Sequence, residues 1–217
     1  MSVSDFMTKN LVVADPEMKI FDAVDLMKKN NIHRLPVIKN ERLVGLITEG
    51  TIQSALPSKA TSLSVYEVNY LLNKTTVADV MVKEVLTIKP EALLEDGIFQ
   101  MRQNNIGVLP VLDGNDTLVG IITNNDIFDA FLKITGYKDG GTRIQLRIPE
   151  DHQGILADIT KLLAASDFSI LTVVVNRKEL ETIIELQVES RETQKIESIL
   201  IEAGYDVFEA TLVSKKV

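Results

Sequence analysis

An internal repeat constrains this chain more than any other feature of its sequence. The pattern of the first 56 residues begins again near residue 77, with identical residues first 74 and then 75 positions apart. The spacing changes in a turn that gains one residue, which is where a true repeat tolerates a change of length. Identical pairs include Val3/Val77, Asp5/Asp79, Met7/Met81, Pro36/Pro110, Gly45/Gly120 and Thr48/Thr123. The chain is therefore expected to contain two copies of one structural unit.

Each copy has the pattern of a short strand, a helix, a hairpin and a closing helix. In copy one, residues 11–14 are predicted to form a strand that ends before Pro16. A hairpin is predicted over residues 35–38 and 43–47, and a short helix over residues 51–56. The first helix is predicted from apolar residues at helical spacing, namely Ile20, Ala23, Val24 and Met27.

The Thr-x-x-Asp sequence of copy two has two interpretations. Thr123 stands where an apolar strand meets a helical pattern, and Asp126 falls in the first turn of that helix. One interpretation is a capping box, in which the two side chains satisfy backbone N–H groups at the helix start. The other is a nucleotide site, because a carboxylate held there can accept hydrogen bonds from both ribose hydroxyls. The second interpretation gains weight because the stretch is part of a repeat.

Composition excludes several classes of function. The chain has 217 residues and a net charge of -8, which disfavours binding to nucleic acid, and only 5% aromatic residues for base stacking. It has no Cys, and no apolar run approaches the roughly 20 residues of a membrane span. The N-terminus does not read as a signal peptide. We therefore expect a cytoplasmic protein that binds neither nucleic acid nor membranes.

The sequence also offers no catalytic machinery. Neither a Ser-His-Asp set, a Cys-His set nor a phosphate-binding P-loop is found, and the only two histidines are His33 and His152. Their neighbours lack the spacing of metal ligands. The expectation is a protein that is not an enzyme, with no catalytic residue, no metal site and no cofactor.

The repeated motifs resemble a known family. Two tandem copies with an apolar-Pro-Val strand, a Gly-x-x-Thr turn and a closing helix are similar to a pair of CBS motifs, the Bateman module. The resemblance covers residues 1–56 and 76–135, with residues 57–75 as a linker that contains a short helix. That helix could cover the cleft or form a dimer contact. The resemblance implies an α+β fold that binds an adenine nucleotide (AMP, ADP or ATP) between the motifs.

By that resemblance, the binding residues lie where the Thr-x-x-Asp edge meets the Pro-Val strand. Copy one has Thr51 where copy two has Asp126, so it lacks a carboxylate for the ribose. His33 and Arg34 either face the cleft and meet phosphates or form a solvated strand start, and Gly107 leaves room for a base or a backbone. The full set implied is Asp126, Thr123, Asn124, Ile106, Gly107, Val108, Pro110, His33, Arg34, Thr48 and Thr51.

The chain changes character after Gly140-Gly141, which we expect to be a joint between domains. Residues 142–214 have the order βαββαβ of a ferredoxin-like domain. Their Asp-x-x-Gly turn resembles the ACT domain, a regulatory module that often binds amino acids, although Gln153 replaces the usual Pro. The turn either holds a ligand or only shapes the fold, and His152 is expected to be an exposed turn residue. The implied ligand residues are Asp151, Gln153, Gly154, Ile155 and Leu156.

A CBS pair followed by an ACT domain is similar to regulatory proteins of acetoin utilisation. The resemblance implies a homodimeric sensor of an adenine nucleotide, with a role in acetoin or carbon metabolism and a protein target that the sequence does not identify. Two alternatives stay open: an accessory protein that binds no ligand, and a sensor of another adenosyl ligand such as a cyclic dinucleotide or S-adenosylmethionine.

Overall fold

The computed structural model describes residues 1–55, 74–178 and 181–216. These residues form two compact units, Met1–Ile127 and Phe128–Val217. Within the described residues, no helix is both long and apolar enough to cross a bilayer. Most of the predicted linker, residues 57–73, lies outside the described part of the chain.

The two copies contain matching elements. Copy one has a 3-10 turn at Val3–Asp5, helix α1 at Ile20–Asn30, strands β1 at Arg34–Lys39 and β2 at Arg42–Thr48, and helix α2 at Glu49–Ala55. Copy two has helices α3 at Val77–Val80 and α4 at Leu94–Gln103, strands β3 at Val108–Leu112 and β4 at Leu118–Thr123, and helix α5 at Asn124–Ile134. The first helix and the hairpin predicted from periodicity are confirmed. The strand predicted at residues 11–14 is reduced to a bridge between Ala14 and Val37.

The first segment of each copy pairs with a strand of the other copy. The backbones of Thr8 and Ile121 exchange two hydrogen bonds, and Leu46 and Val82 exchange the equivalent pair. This exchange places the first residues of each copy beside the second hairpin strand of the other. Apolar residues between the copies complete the junction, with Leu46, Val108 and Ile121 buried and Leu11 and Val85 packed against them.

The second unit confirms the predicted βαββαβ order. Its elements are β5 at Gly141–Ile148, α6 at Ile155–Ala165, β6 at Ile170–Arg177, β7 at Thr182–Val188, α7 at Thr193–Glu202 and β8 at Asp206–Val213. The four strands form one antiparallel sheet in the order β6-β7-β5-β8, which is the ferredoxin-like topology. The two helices pack on the sheet over a core that includes Ile144, Leu146, Ile159, Leu163, Ile184 and Leu200.

Gly140 and Gly141 are part of this second unit rather than a free joint. Gly140 is buried, and its carbonyl accepts a hydrogen bond from the Gln187 side chain. Gly141 has φ +97° and opens β5, where a Cβ atom would clash with the carbonyl of Val188. Glycine is required there because only glycine combines this backbone angle with such a close approach.

Candidate functional site

Two of the cavities in the first unit are each built from both copies. The one we call the Asp126 cavity is lined by Asp126, Thr123 and Ile121 of copy two, facing Thr8, Arg34 and Pro36 of copy one. The one we call the Thr51 cavity is lined by Thr51, Thr48 and Leu46 of copy one, facing Val82, Ile106 and Val108 of copy two. Each cavity has walls from both copies because the first segment of each copy pairs with the second hairpin strand of the other.

The repeat relates the walls of the two cavities. Asn10, Leu11 and Val12 line the Asp126 cavity, and their counterparts 74 positions later, Glu84, Val85 and Leu86, line the Thr51 cavity. The cavities are therefore two versions of one site. They differ in chemistry because the repeat has diverged at their polar positions.

The Asp126 carboxylate has a separate role for each oxygen. Oδ2 accepts hydrogen bonds from the backbone N–H and the hydroxyl of Thr123, both at 2.7 Å. Among the described residues, Oδ1 accepts only a longer bond, 3.2 Å, from the hydroxyl of Thr8 on the cavity wall. A carboxylate offers about four lone-pair positions, so Oδ1 keeps acceptor capacity for a ligand. The capping and ligand-binding interpretations of this motif are thus compatible.

The equivalent edge of copy one has no such capacity. The hydroxyl of Thr51 donates to the Thr48 carbonyl at 2.8 Å and accepts from the Thr48 backbone N–H at 2.9 Å. Thr51 therefore caps α2 without carrying a negative charge. A ribose in the Thr51 cavity would meet an uncharged hydroxyl that already accepts from the Thr48 backbone N–H and, at 3.5 Å, from the Thr48 hydroxyl.

His33 and Arg34 line both cavities. His33 is exposed, and its Nδ1 lies 3.0 Å from Oε2 of Glu49. Arg34 is partly buried at the start of β1, and no carboxylate within the described ranges forms an ion pair with it. Arg34 is thus a cation available to a phosphate from either side.

The other residues of the implied site do not share one cavity. Ile106, Gly107 and Val108 line the Thr51 cavity, and the space beside Gly107 is occupied by the side chains of Asn124 and Arg34. Asn124 itself lines neither cavity, whereas its neighbour Asn125 lines the Asp126 cavity. Pro110 is buried, and its carbonyl accepts a hydrogen bond from the Ile88 backbone. Pro36, its counterpart, is the proline that lines the Asp126 cavity.

Sequence reasoning missed the wall formed by the first segment of copy one. Thr8, Asn10, Leu11 and Val12 all line the Asp126 cavity. Their positions carry no motif, and only the backbone exchange between Thr8 and Ile121 brings them to Asp126. The identical pairs Met7/Met81 and Gly45/Gly120 are the positions that meet across the copies, but their identity alone does not show that they are in contact.

In the second unit, the Asp-x-x-Gly turn is tied to the sheet. Oδ2 of Asp151 accepts hydrogen bonds from Nε of Arg177 at 2.9 Å and from the Thr182 hydroxyl at 3.3 Å. Gly154 has φ +101° and precedes α6, with no atom within 4 Å of where a Cβ would lie. Gln153 and Leu156 are exposed, and Ile155 packs against the core. The hydrogen bonds anchor Asp151 to the sheet, and the positive φ of Gly154 is one that glycine adopts most easily.

No metal site accompanies these features in the residues that the structure describes. Among them, no group of three or more His, Cys, Asp or Glu side chains could hold a metal ion. His152 is an exposed turn residue whose Nδ1 lies 3.1 Å from the Gln153 carbonyl.

Two repeated units with a cavity on each side of their junction define a tandem-repeat binding module. The CBS domain family model matches residues 3–58 and 77–133, more than half of the chain. The chain therefore belongs to the CBS domain family.

The curated relatives share the CBS pair but differ in total length. The uncharacterized protein MJ1426 from Methanocaldococcus jannaschii is 34% identical over 155 residues, covering 61% of this chain and 92% of its own. Homoserine O-acetyltransferase from Methanosalsum zhilinae is 32% identical over 58% of this chain, yet only 23% of that enzyme is covered. Its acetyltransferase activity therefore does not carry over to this chain.

Solved structures share the fold. CBSX2 in complex with AMP, a CBS-pair protein from Arabidopsis thaliana, has a TM-score of 0.53 and 29% identity over 61% of this chain and 97% of its own. A Vibrio cholerae protein assigned to acetoin utilization (AcuB) has a TM-score of 0.53 and 26% identity over 64% of this chain and 96% of its own. The CBS pair of MJ0100, in complex with 5'-methylthioadenosine and S-adenosyl-L-methionine, has a TM-score of 0.50 and 28% identity over 60% of this chain and 95% of its own.

Proposed function

We propose that this protein is a regulatory sensor that binds an adenine nucleotide in the Asp126 cavity. The observation that carries the proposal is the divided Asp126 carboxylate, with one oxygen capping α5 and the other on the cavity wall. A ribose diol needs such an acceptor, and a phosphate needs a cation such as Arg34, which lines the same cavity. The role is binding rather than catalysis, and no cofactor is required.

The named relatives support the ligand class. CBSX2 was solved with AMP, and MJ0100 with two adenosyl compounds that lack phosphate. We expect AMP to be preferred in the Asp126 cavity because Arg34 has no carboxylate partner among the described residues. Similarity to the acetoin utilization protein supports, as a further part of this proposal, a regulatory role in carbon metabolism.

The ferredoxin-like topology of the second unit supports its proposed assignment as an ACT domain over residues 142–214. Because Oδ2 of Asp151 is bonded to Arg177 and Thr182, an amino-acid ligand would contact Oδ1 of Asp151, Gln153 and the backbone at Gly154. In this assignment, the domain contributes to association of a homodimer.

Thermal-shift and calorimetric measurements on the purified full-length chain test the nucleotide proposal. AMP, ADP, ATP, adenosine, S-adenosylmethionine and cyclic dinucleotides form the panel. A ligand that binds only the folded state raises the unfolding midpoint, so AMP should raise it and bind with saturation. If no member of the panel binds, the protein is better explained as an accessory protein without a ligand.

A further inference from the structure

Arg34 and His33 are the only residues that line both the Asp126 and the Thr51 cavities within the described ranges. Arg34 begins β1, at the junction of the two copies. One of its terminal nitrogens lies 3.1 Å from where a Cβ of Gly107 would be. The absence of a side chain at Gly107 therefore leaves room for the guanidinium beside copy two.

Apart from Arg34 and His33, no basic residue lines either cavity within the described ranges. The remaining ionisable side chains of the walls are acidic: Asp126 in one cavity, and Glu49 and Glu84 in the other. Nδ1 of His33 lies 3.0 Å from Oε2 of Glu49, which leaves Arg34 as the cation without a carboxylate partner in the described part of the chain. Two sites thus depend on one free positive charge.

We propose that Arg34 makes the two cavities antagonistic toward ligands that carry phosphate, so that the protein binds one nucleotide phosphate at a time. A phosphate monoester carries about -1.5 to -2 charges at neutral pH and is best held by a bidentate guanidinium. Once the first phosphate holds Arg34, a second phosphate would be placed near it without a cation. The inference rests on the proposed nucleotide function and extends it to the second cavity.

The antagonism selects the class of ligand for the Thr51 cavity. A phosphate-free adenosyl compound needs no contact with Arg34, so it can occupy this cavity while AMP fills the other. A second AMP should bind about 10- to 150-fold more weakly than it would with Arg34 free, which is what one charged hydrogen-bonding partner contributes. Because coupling is reciprocal, phosphate in either cavity should have the same effect on the other.

Calorimetry on wild-type protein saturated with AMP provides a direct test. Adenosine added to this complex should bind in the second cavity more tightly than further AMP does. If a second AMP binds as tightly as adenosine, or more tightly, Arg34 does not separate the cavities and the inference is overturned. If neither AMP nor adenosine binds the free protein, the proposed function itself fails and the inference falls with it.

Two variants test whether Arg34 causes the antagonism between the cavities. Thr51→Asp gives the second cavity a carboxylate at the position of Asp126, so that both cavities can be titrated with one ligand. We expect two similar affinities for adenosine, and for AMP a second affinity at least about tenfold weaker than the first. Adding Arg34→Ala should make the ratio of the two AMP affinities equal to the adenosine ratio.

Comparing the variants with and without Arg34→Ala distinguishes competition for Arg34 from simple repulsion between the two phosphates. If the AMP ratio persists in the double variant, repulsion causes it, and the role of Arg34 is overturned. The wild-type comparison of AMP with adenosine does not depend on any substitution, so it decides the antagonism even if Thr51→Asp does not fold.

Discussion

At the scale of residues, three Ser/Thr-x-x-Asp sequences share one geometry. The backbone N–H at Ser2, Thr76 and Thr123 donates to the acid three residues later at 2.8, 2.8 and 2.7 Å. Of the three acids, only Asp126 lines either of the two cavities. The motif therefore predicts a helix cap wherever it occurs, and the surrounding copy decides whether it also faces a ligand.

The contribution of the Asp79 cap to stability is predicted to depend on pH. Hydrogen bonds from the side chain and backbone of Thr76 lower the pKa of Asp79 below its usual 3.8. A folded-state pKa below the unfolded one means that the stabilisation is present above pH 3.8 and lost as pH falls through the folded pKa. The difference in free energy of unfolding between wild type and Asp79→Ala, measured with urea, should therefore shrink below pH 3.8. A difference that stays constant would contradict the assignment.

A second prediction at this scale concerns the effect of Arg34 on AMP affinity. Arg34→Ala should weaken AMP binding by about tenfold or more while changing adenosine binding little, because only AMP carries a phosphate. Higher salt should reduce the difference, since the contact is electrostatic. Arg102→Ala is the matched control, because Arg102 is an exposed arginine that lines neither cavity. Equal losses for AMP and adenosine would mean that Arg34 acts through packing instead.

At the scale of elements, the glycine of each Gly-x-x-Thr strand receives a methionine from the other copy. A Cβ on Gly120 would collide with the sulfur of Met7, and one on Gly45 would meet the sulfur of Met81. These contacts lie beside the paired backbones that join the copies. Glycine is used here for close approach rather than for an unusual backbone angle.

This contact predicts a loss of stability on adding one methyl group. Gly120→Ala should lower the free energy of unfolding by about 1–3 kcal/mol, toward the lower end because Met7 can adjust. Gly114→Ala is the control, since no atom lies within 4 Å of a Cβ at that turn position. Urea unfolding measures both variants. A Gly120→Ala protein as stable as wild type would show that the Met7 contact is loose.

Local elements could be predicted from the sequence, but the assembly of the site could not. Helical spacing identified α1, and the βαββαβ order was readable because each strand and helix is encoded by nearby residues. The pairing of Thr8 with Ile121 joins residues far apart in the sequence, so no local pattern reveals that Asp126 faces copy one. Gly140 was expected at a joint because glycine pairs often mark linkers, yet its contact with Gln187 packs it into the second unit.

At the scale of the whole molecule, the sheet of the second unit has two edges that no other strand of the described residues covers. Strands β6 and β8 are the outer strands of the sheet, and β6 exposes Leu171, Val173 and Val174. Exposed edge strands tend to pair with other chains, and a lysine on the edge prevents such pairing. We expect the protein to form a homodimer to which the β6 edge contributes.

Light scattering tests this expectation. The full-length chain should have twice the mass of one chain, and Val173→Lys should shift it toward the monomer. Ile201→Lys is the control, because Ile201 is 52% exposed but lies on helix α7 and not on strand β6. A monomeric wild type would contradict the dimer, and an unchanged Val173→Lys dimer would show that the β6 edge does not hold it together.

The proposed nucleotide binding depends most on Asp126 as the ribose acceptor, and calorimetry with AMP on two matched variants tests this role most directly. Asp126→Ala and Asp79→Ala each remove a carboxylate that caps a helix, but only Asp126 lines a cavity. Asp126→Ala should weaken AMP binding by about 10- to 150-fold, whereas Asp79→Ala should leave the affinity unchanged. Wild-type affinity in a folded Asp126→Ala protein, or an equal loss in both variants, would contradict Asp126 as the ribose acceptor.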